Sequence, residues 1–303
     1  MVVLVTGANG QLGQAIQSIS KNYKEIDFVF CSSSDLDITN LENCQAVFST
    51  YQPHFCINTA AYTAVDKAES EPAKAFDINA NGAENLAITC KKFNTILIHI
   101  STDFVFDADF SDGIAYYDRE LRLPLKSNLG LTETDVPFPS GVYGLTKLQG
   151  EQAIQANWKK HFIIRTSWVY SQFGNNFMKT MLRLASERDT LSVVSDQIGT
   201  PTNAVDLAEV LIVIIVSSFK FQVSSFGIYN FSNEGQCSWY DFAKEIFHQK
   251  GVSIDLKPIP TSAYPTPAKR PAYSVLDKTK IKSTFGVEIK EWQTSLARCI
   301  NQL

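Results

Sequence analysis

Short apolar runs alternate with amphipathic stretches along the first half of the chain. Val2-Val3-Leu4-Val5 is β-branched and stops at Thr6-Gly7, which predicts a strand buried on both faces. Phe28-Val29-Phe30-Cys31, Phe55-Cys56-Ile57-Asn58, the run from Ile96 to Ser101 and Phe162-Ile163-Ile164-Arg165 repeat that signal. Between them the apolar positions fall at helical spacing. Helices are predicted from about Gln11 to Ser20, Leu41 to Tyr51, Pro72 to Phe93 and Tyr143 to Asn157; in the second, Leu41, Cys44, Val47 and Phe48 share a face. Such alternation predicts an α/β fold, a Rossmann-type doubly wound parallel sheet. Sheets of this kind bind ligands at the carboxyl ends of their strands.

After about residue 170 the rhythm changes. Helical patterns from about Asn176 to Glu187, Ala204 to Phe219 and Tyr240 to Lys250 alternate with extended pieces, and a segment holding Pro258, Pro260, Pro265, Pro267 and Pro271 follows. Residues 1–170 read as the nucleotide-binding domain. Residues 171–303 read as a smaller, interleaved substrate-binding lobe, part of which returns to the first domain.

Composition narrows the classes. The 303 residues are 45% hydrophobic and 19% charged, ample for a large core. A formal net charge of -4 gives no general attraction to nucleic acid or an anionic membrane. The longest apolar run, Val210 to Val216, is far shorter than the ~20 residues that cross a bilayer. Met1 to Val5 lacks the charged start of a signal peptide. No pair among Cys31, Cys44, Cys56, Cys90, Cys237 and Cys299 has C-x-x-C spacing, so reduced, buried thiols and a cytoplasmic location are expected. His54, His99, His161 and His248 form no i, i+4 pair, and no metal site is expected.

Chemistry concentrates at the strand ends. Gly7-Ala8-Asn9-Gly10-Gln11-Leu12-Gly13 joins the first strand to the first helix. Glycines let backbone approach a pyrophosphate closely, and the helix N-terminus offers free N–H groups. The second strand ends in Cys31-Ser32-Ser33-Ser34 rather than in a carboxylate that would repel a 2′-phosphate, which favours NADP(H), with NAD(H) the other option. Asp37-Ile38 lies where adenine would be bordered, and Asn58-Thr59-Ala60-Ala61-Tyr62-Thr63 leaves room for a flat cofactor. Ser101-Thr102-Asp103 closes the fourth strand, and Tyr143 and Lys147 stand four apart on a helix, sharing a face. A nearby ammonium favours a phenolate and so lowers a tyrosine pKa. The expected chemistry is hydride transfer to a carbonyl carbon. Tyr143 protonates the oxygen, Thr102 holds that oxygen, and Lys147 bonds the nicotinamide ribose and tunes the tyrosine.

With these motifs the chain resembles the extended short-chain dehydrogenases/reductases and, within them, the dTDP-4-dehydrorhamnose reductases. The resemblance covers nearly the whole chain. Besides the glycine turn it rests on Asn58 to Glu69, Ser101 to Phe106, Val142-Tyr143-Gly144, Arg165 to Tyr170, Gly174 to Phe177, Asp196 to Thr202 and Tyr264 to Pro271. It implies NADPH-dependent reduction of the 4-keto group of dTDP-4-dehydro-L-rhamnose, with Thr102, Tyr143 and Lys147 as the catalytic trio. It implies a cofactor site lined by Gly10, Gln11, Leu12, Asp37, Ile38, Ala60, Ala61 and Thr63. Asp103 and Trp168 are implied at the sugar nucleotide, with Asn175, Gln197 and Arg270 as further candidates.

Two stretches depart from the family pattern. Gln14-Ala15-Ile16-Gln17 lacks the carboxylate that some members use in a magnesium-linked dimer, so a monomer or weak homodimer without metal is expected. The stretch from about 108 to 131 is longer than usual and reads equally as a substrate lid or a surface elaboration. Two other readings compete. An epimerase uses the same trio, whereas a dehydratase is disfavoured because Phe104 stands where its glutamate would be. A non-catalytic, cofactor-binding regulatory subunit has no need of Thr102, Tyr143 and Lys147 together.

Overall fold

A computed structural model of the chain describes residues 1–106, 130–220 and 225–303. The first half supplies β1 (Val2–Thr6), α1 (Gln11–Ser20), β2 (Asp27–Phe30), α2 (Leu41–Tyr51), β3 (Phe55–Asn58), α3 (Val65–Ala68), α4 (Pro72–Phe76), α5 (Gly82–Phe93), β4 (Ile96–Thr102), α6 (Val142–Asn157) and β5 (His161–Thr166). The second half adds β6 (Val169–Tyr170), α7 (Phe177–Glu187), β7 (Thr190–Val194), β8 (Ile198–Gly199), β9 (Thr202–Asn203) and α8 (Ala204–Lys220). It ends with β10 (Gly227–Asn230), β11 (Cys237–Ser238), α9 (Trp239–Lys250), β12 (Asp255–Ile259), α10 (Thr279–Phe285) and α11 (Trp292–Ile300).

Six of these strands form one parallel sheet in the order β10-β5-β4-β3-β1-β2. The chain steps outward from β1 to β2, then crosses back to β3 on the other side of β1. The resulting switch point lies between the carboxyl ends of β1 and β3. Alternate residues of β1 explain its unbroken apolar run. Val3 and Val5 face α1 and α8 in one core, and Leu4 faces α2 and α5 in another.

The predicted helix from Pro72 to Phe93 is broken: five residues, Asp77–Asn81, form a π turn between α4 and α5. The break has a local cause. Asn79 accepts from the Tyr62 amide and donates to the Tyr62 carbonyl and to Thr146 Oγ1. α6 also approaches so closely that a Cβ on Gly150 would lie 2.2 Å from the Asn79 oxygen. The π turn thus joins the segment after β3 to the helix carrying Tyr143 and Lys147, the kind of place where such turns recur.

A third core gathers Tyr170, Met178, Leu191, Val193, Phe242, Trp292 and Leu296, from α7, α9, α11 and the two-stranded β7–β12 pair. From the same half of the chain, α8 packs on α1, and β10 pairs with β5 in the main sheet. Residues 108–129 of the long stretch noted above lie outside the described residues. Leu131 is tied down, its amide donating to Val275 and its carbonyl accepting from Asp277.

Candidate active site

Backbone proximity builds the turn after β1. Gly7 has φ +63°, and a Cβ there would lie 2.7 Å from the Ala60 nitrogen. Only glycine meets both demands at low cost. A Cβ on Gly13 would lie 2.6 Å from the oxygens of Gly7 and Ala8. Gly10 caps α1 with extended backbone, and no side chain bonds the helix's first amides. The first turn of α1 also carries no carboxylate, so its positive end stays open to an anion. A dinucleotide pyrophosphate fits this donor set.

The other expected cofactor residues fall into two groups. Ala60 and Ala61 are half-buried beside Gly7, and Thr63 is exposed. Asp37 is exposed and its Oδ1 accepts from Thr39 N and Oγ1. Leu12 and Ile38, by contrast, spend their side chains on packing. Leu12 belongs to the core beneath α1, and Ile38 fills the space a Cβ on Gly82 would need. Either can offer a ligand only backbone or an apolar edge. Gln11 reaches across the molecule: its Oε1 accepts from Ser171 Oγ and from Asn176 Nδ2, tying the turn to the start of α7. At the end of β2, Asp35 Oδ2 accepts from both the amide and hydroxyl of Ser32, which holds its carboxyl below the usual range.

Thr102 at the end of β4 faces Tyr143 on α6, and Lys147 sits one turn further along that helix. The Thr102 hydroxyl donates to Asp103 Oδ1 at 3.0 Å and lies near enough to the Tyr143 phenol to act on its pKa. Phe104 stands edge-on to the Tyr143 ring, with centroids 5.5 Å apart. α6 comes this close because Gly144 carries no side chain: a Cβ there would lie 2.2 Å from the Phe104 oxygen. Asp103 is buried, and one of its oxygens, Oδ2, has no hydrogen-bond partner. Burial raises its carboxyl to about 6, against opposing hydrogen bonds from Ser274 and Thr102.

The expected action of Lys147 on Tyr143 is not what this geometry shows. Burial pushes the phenol up to about 12; the Thr102 bond pulls it down, Asp103 pushes it up, and Lys147 is not among its causes. The reason is where the amine points. Lys147 Nζ lies 2.7 Å from the Ile100 carbonyl, to which it donates, and 3.1 Å from His99 Nε2. Burial brings the amine down to about 8, with Glu151 opposing. Glu151 itself accepts from Ser101 Oγ at 2.5 Å and is gripped in bidentate fashion by the buried Arg165.

Of the substrate candidates, Gln197 and Arg270 line one cavity of about 750 Å³, together with Phe177, Tyr264 and Trp239. Gln197 is buried and donates to Thr261 Oγ1. Arg270 is held by Asp66 through paired contacts of 2.9 and 2.7 Å, and it also donates to Thr266 and Ala268. Its fork is therefore already occupied by a carboxylate 204 positions away. Trp168 has a left-handed φ of +47° and stacks on Trp239 at 3.6 Å. Asn175 is exposed ahead of α7 and does not line this cavity; its neighbour Asn176 caps the helix. The sequence reading gave no role to His99, Asp66, Glu151 or Trp239. Asp66 sits inside a motif that was singled out, but nothing in a linear pattern pairs it with Arg270.

The chain matches the RmlD substrate binding domain family over residues 1–303. It is similar to the dTDP-4-dehydrorhamnose reductase of Aggregatibacter actinomycetemcomitans, with 40% identity over 300 residues, covering 97% of this chain and 96% of that protein. A dTDP-4-dehydrorhamnose reductase crystal structure from Clostridium acetobutylicum superposes with a TM-score of 0.88 at 40% identity, covering 100% of this chain and 99% of the other. One from Bacillus anthracis, in complex with NADP, gives a TM-score of 0.88 at 38% identity with the same coverage.

Proposed function

Because the chain belongs to the RmlD substrate binding domain family, we propose that it is an NADPH-dependent reductase converting dTDP-4-dehydro-L-rhamnose to dTDP-L-rhamnose. The observation that carries this reading is Tyr143 beside Thr102 at the end of β4, with Lys147 one turn further along the same helix, and a glycine cradle that fits a dinucleotide. When bound, NADPH supplies the hydride accepted by the 4-keto carbon. Tyr143 gives its phenolic proton to the keto oxygen, and Thr102 holds that oxygen in place. A phenol kept protonated by burial is suited to the donor role. Lys147 binds the ribose hydroxyls once it turns from His99. Gly7, Gly10, Gln11, Leu12 and Gly13 cradle the pyrophosphate; Asp37, Ile38, Ala60, Ala61 and Thr63 border the remainder of the cofactor. NADP(H) is the preferred form, with NAD(H) the lesser one.

On the substrate side, Asp103 and Trp168 meet the sugar, and Gln197 and Arg270, the latter fixed in place by Asp66, border the nucleotide end, with Asn175 at the edge. The unpaired Asp103 Oδ2 supports this assignment, because a sugar hydroxyl would satisfy it. Residues 171–303 act mainly as the substrate lobe. We assign the enzyme to the cytoplasm, as six unpaired, buried cysteines suit a reducing compartment. We also assign it a metal-free monomeric or weakly dimeric state. The residues that replace the dimer carboxylate support that state: Gln14 and Gln17 donate to their own turn, at Asn9 and Ala8.

The test is NADPH oxidation by the purified protein with dTDP-4-dehydro-L-rhamnose, with and without chelator. Oxidation that survives chelation and disappears in Tyr143→Phe supports a metal-independent reductase. Cofactor binding without oxidation of either NADPH or NADH would sink the assignment.

A further inference from the structure

A buried hydrogen-bonded chain runs across three strands behind the reacting groups. Thr6 Oγ1 donates to Asn58 Oδ1 at 2.6 Å; Asn58 Nδ2 lies 2.9 Å from His99 Nδ1; His99 Nε2 lies 3.1 Å from Lys147 Nζ. Thr6, Asn58, His99 and Lys147 are each no more than 2% exposed. The chain starts one residue before Gly7 and ends on the lysine of the expected catalytic trio.

Donor counting settles each member of this chain. The Ala60 amide is an unambiguous donor and lies 3.2 Å from Asn58 Oδ1, which also takes the Thr6 hydroxyl proton. The oxygen of the Asn58 amide is thereby placed, and its NH₂ faces His99. His99 Nδ1 must then accept, so a neutral imidazole carries its proton on Nε2. That proton points at Lys147. An ammonium has three donors and no acceptor, so only an uncharged amine can receive it. The same amine still donates to the Ile100 carbonyl.

We propose that His99 is a positioning residue for Lys147, locked by Asn58 as the Nε2–H tautomer, so that docking on His99 and carrying a charge are mutually exclusive states of the lysine. The charged lysine that engages the ribose and Tyr143 must have left His99 and taken a proton from solvent. This rests on the reductase reading for what Lys147 does after it leaves, but not for the tautomer. The surroundings agree. Burial drives His99 well below its usual range, which keeps the ring neutral, and burial brings Lys147 down to about 8. The other ionisable groups around the lysine are Glu151, one turn along α6 and neutralised by Arg165 of β5, and Tyr143 on its own helix. Asp103 stands at the end of β4, and His161 begins β5.

Two measurements test this in the full-length protein. The first is the ¹⁵N imidazole spectrum without added cofactor, His99 being assigned by its loss in His99→Gln. An Nε2–H tautomer with unprotonated Nδ1 is expected at and above about pH 7; an Nδ1–H tautomer or an imidazolium would overturn the proposal. The second is calorimetric titration with NADPH in buffers of different ionisation enthalpy. Proton uptake should rise toward about one per site between about pH 7 and 9. In Asn58→Asp it should vanish, because the carboxylate accepts from Nδ1–H and leaves Nε2 to accept from a charged lysine. Binding with no uptake anywhere in that range would contradict the exclusivity. Failure of NADPH to bind would count against the reductase reading, and the imidazole spectrum would still decide the tautomer.

Discussion

Gly7, Gly13 and Ala60 meet through backbone atoms, whereas the cavity lined by Gln197 and Arg270 is closed by side chains brought from far along the chain. The cradle leaves 2.6–2.7 Å for a Cβ that glycine does not have. The cavity wall depends on Trp168 stacked on Trp239 and on Arg270 gripped by Asp66. A backbone contact of that closeness permits one residue type and so leaves a fixed spacing in the sequence. A side-chain contact permits several pairs and leaves no spacing at all. Damage should differ accordingly: a cradle substitution should act on dinucleotide binding, and a cavity substitution on the sugar nucleotide.

The largest effect should come at the proposed proton donor. Tyr143→Phe should lower kcat by roughly a thousand-fold while leaving the NADPH dissociation constant within about two-fold, as loss of a general acid implies. Steady-state kinetics beside a fluorescence titration separates the two numbers.

Next comes the buried carboxyl just after β4. Asp103 has its folded pKa raised to about 6, above the ordinary 3.8, so the folded protein holds an extra proton between those values. Stability from this group therefore falls as pH rises through that window and stays low above it. Asp103→Asn does not titrate and should gain on the wild type by up to about 3 kcal/mol between about pH 4 and 7. Urea unfolding at both ends of that range measures it; a pH-independent difference would mean the carboxyl is not buried as described.

Gly7→Ala should weaken NADPH binding by about a hundred-fold and lower Tm, since a Cβ meets both a left-handed backbone and the Ala60 nitrogen. KM for the sugar nucleotide should move far less at saturating NADPH. Asp66→Asn inverts that pattern with the smallest effect. Loss of the paired contact frees Arg270, and KM for the sugar nucleotide should rise about ten-fold, ~1.4 kcal/mol, with NADPH binding unchanged. A substrate KM that did not move would place Asp66 and Arg270 in a purely structural tie.

The same contrast explains what was legible in the sequence. The parallel sheet could be read because Val3 and Val5 face one core and Leu4 the other, giving β1 its unbroken apolar run. The glycine turn could be read because the left-handed backbone at Gly7 and the packing of Gly13 on the Gly7 and Ala8 oxygens lie within seven residues, though the Ala60 contact does not, and Tyr143 and Lys147 because a helix turns four-residue spacing into a shared face. The π turn at Asp77–Asn81 could not, since it answers to Gly150 and Tyr62, far off in the chain. Nor could the orientation of Lys147. Tyrosine and lysine at helical spacing promise proximity, but the Ile100 carbonyl and the His99 ring decide where the amine points.

The proposed reaction is direct hydride transfer to the sugar's 4-keto carbon with Tyr143 as proton donor. NADPH deuterated at the transferable position of its nicotinamide ring, reacted with dTDP-4-dehydro-L-rhamnose, tests it by mass spectrometry and NMR of the product. The expected product is dTDP-L-rhamnose carrying deuterium at C4, formed in step with NADPH consumption and absent with Tyr143→Phe. Conversion of a sugar nucleotide to its epimer with no NADPH consumed and no deuterium retained would contradict it.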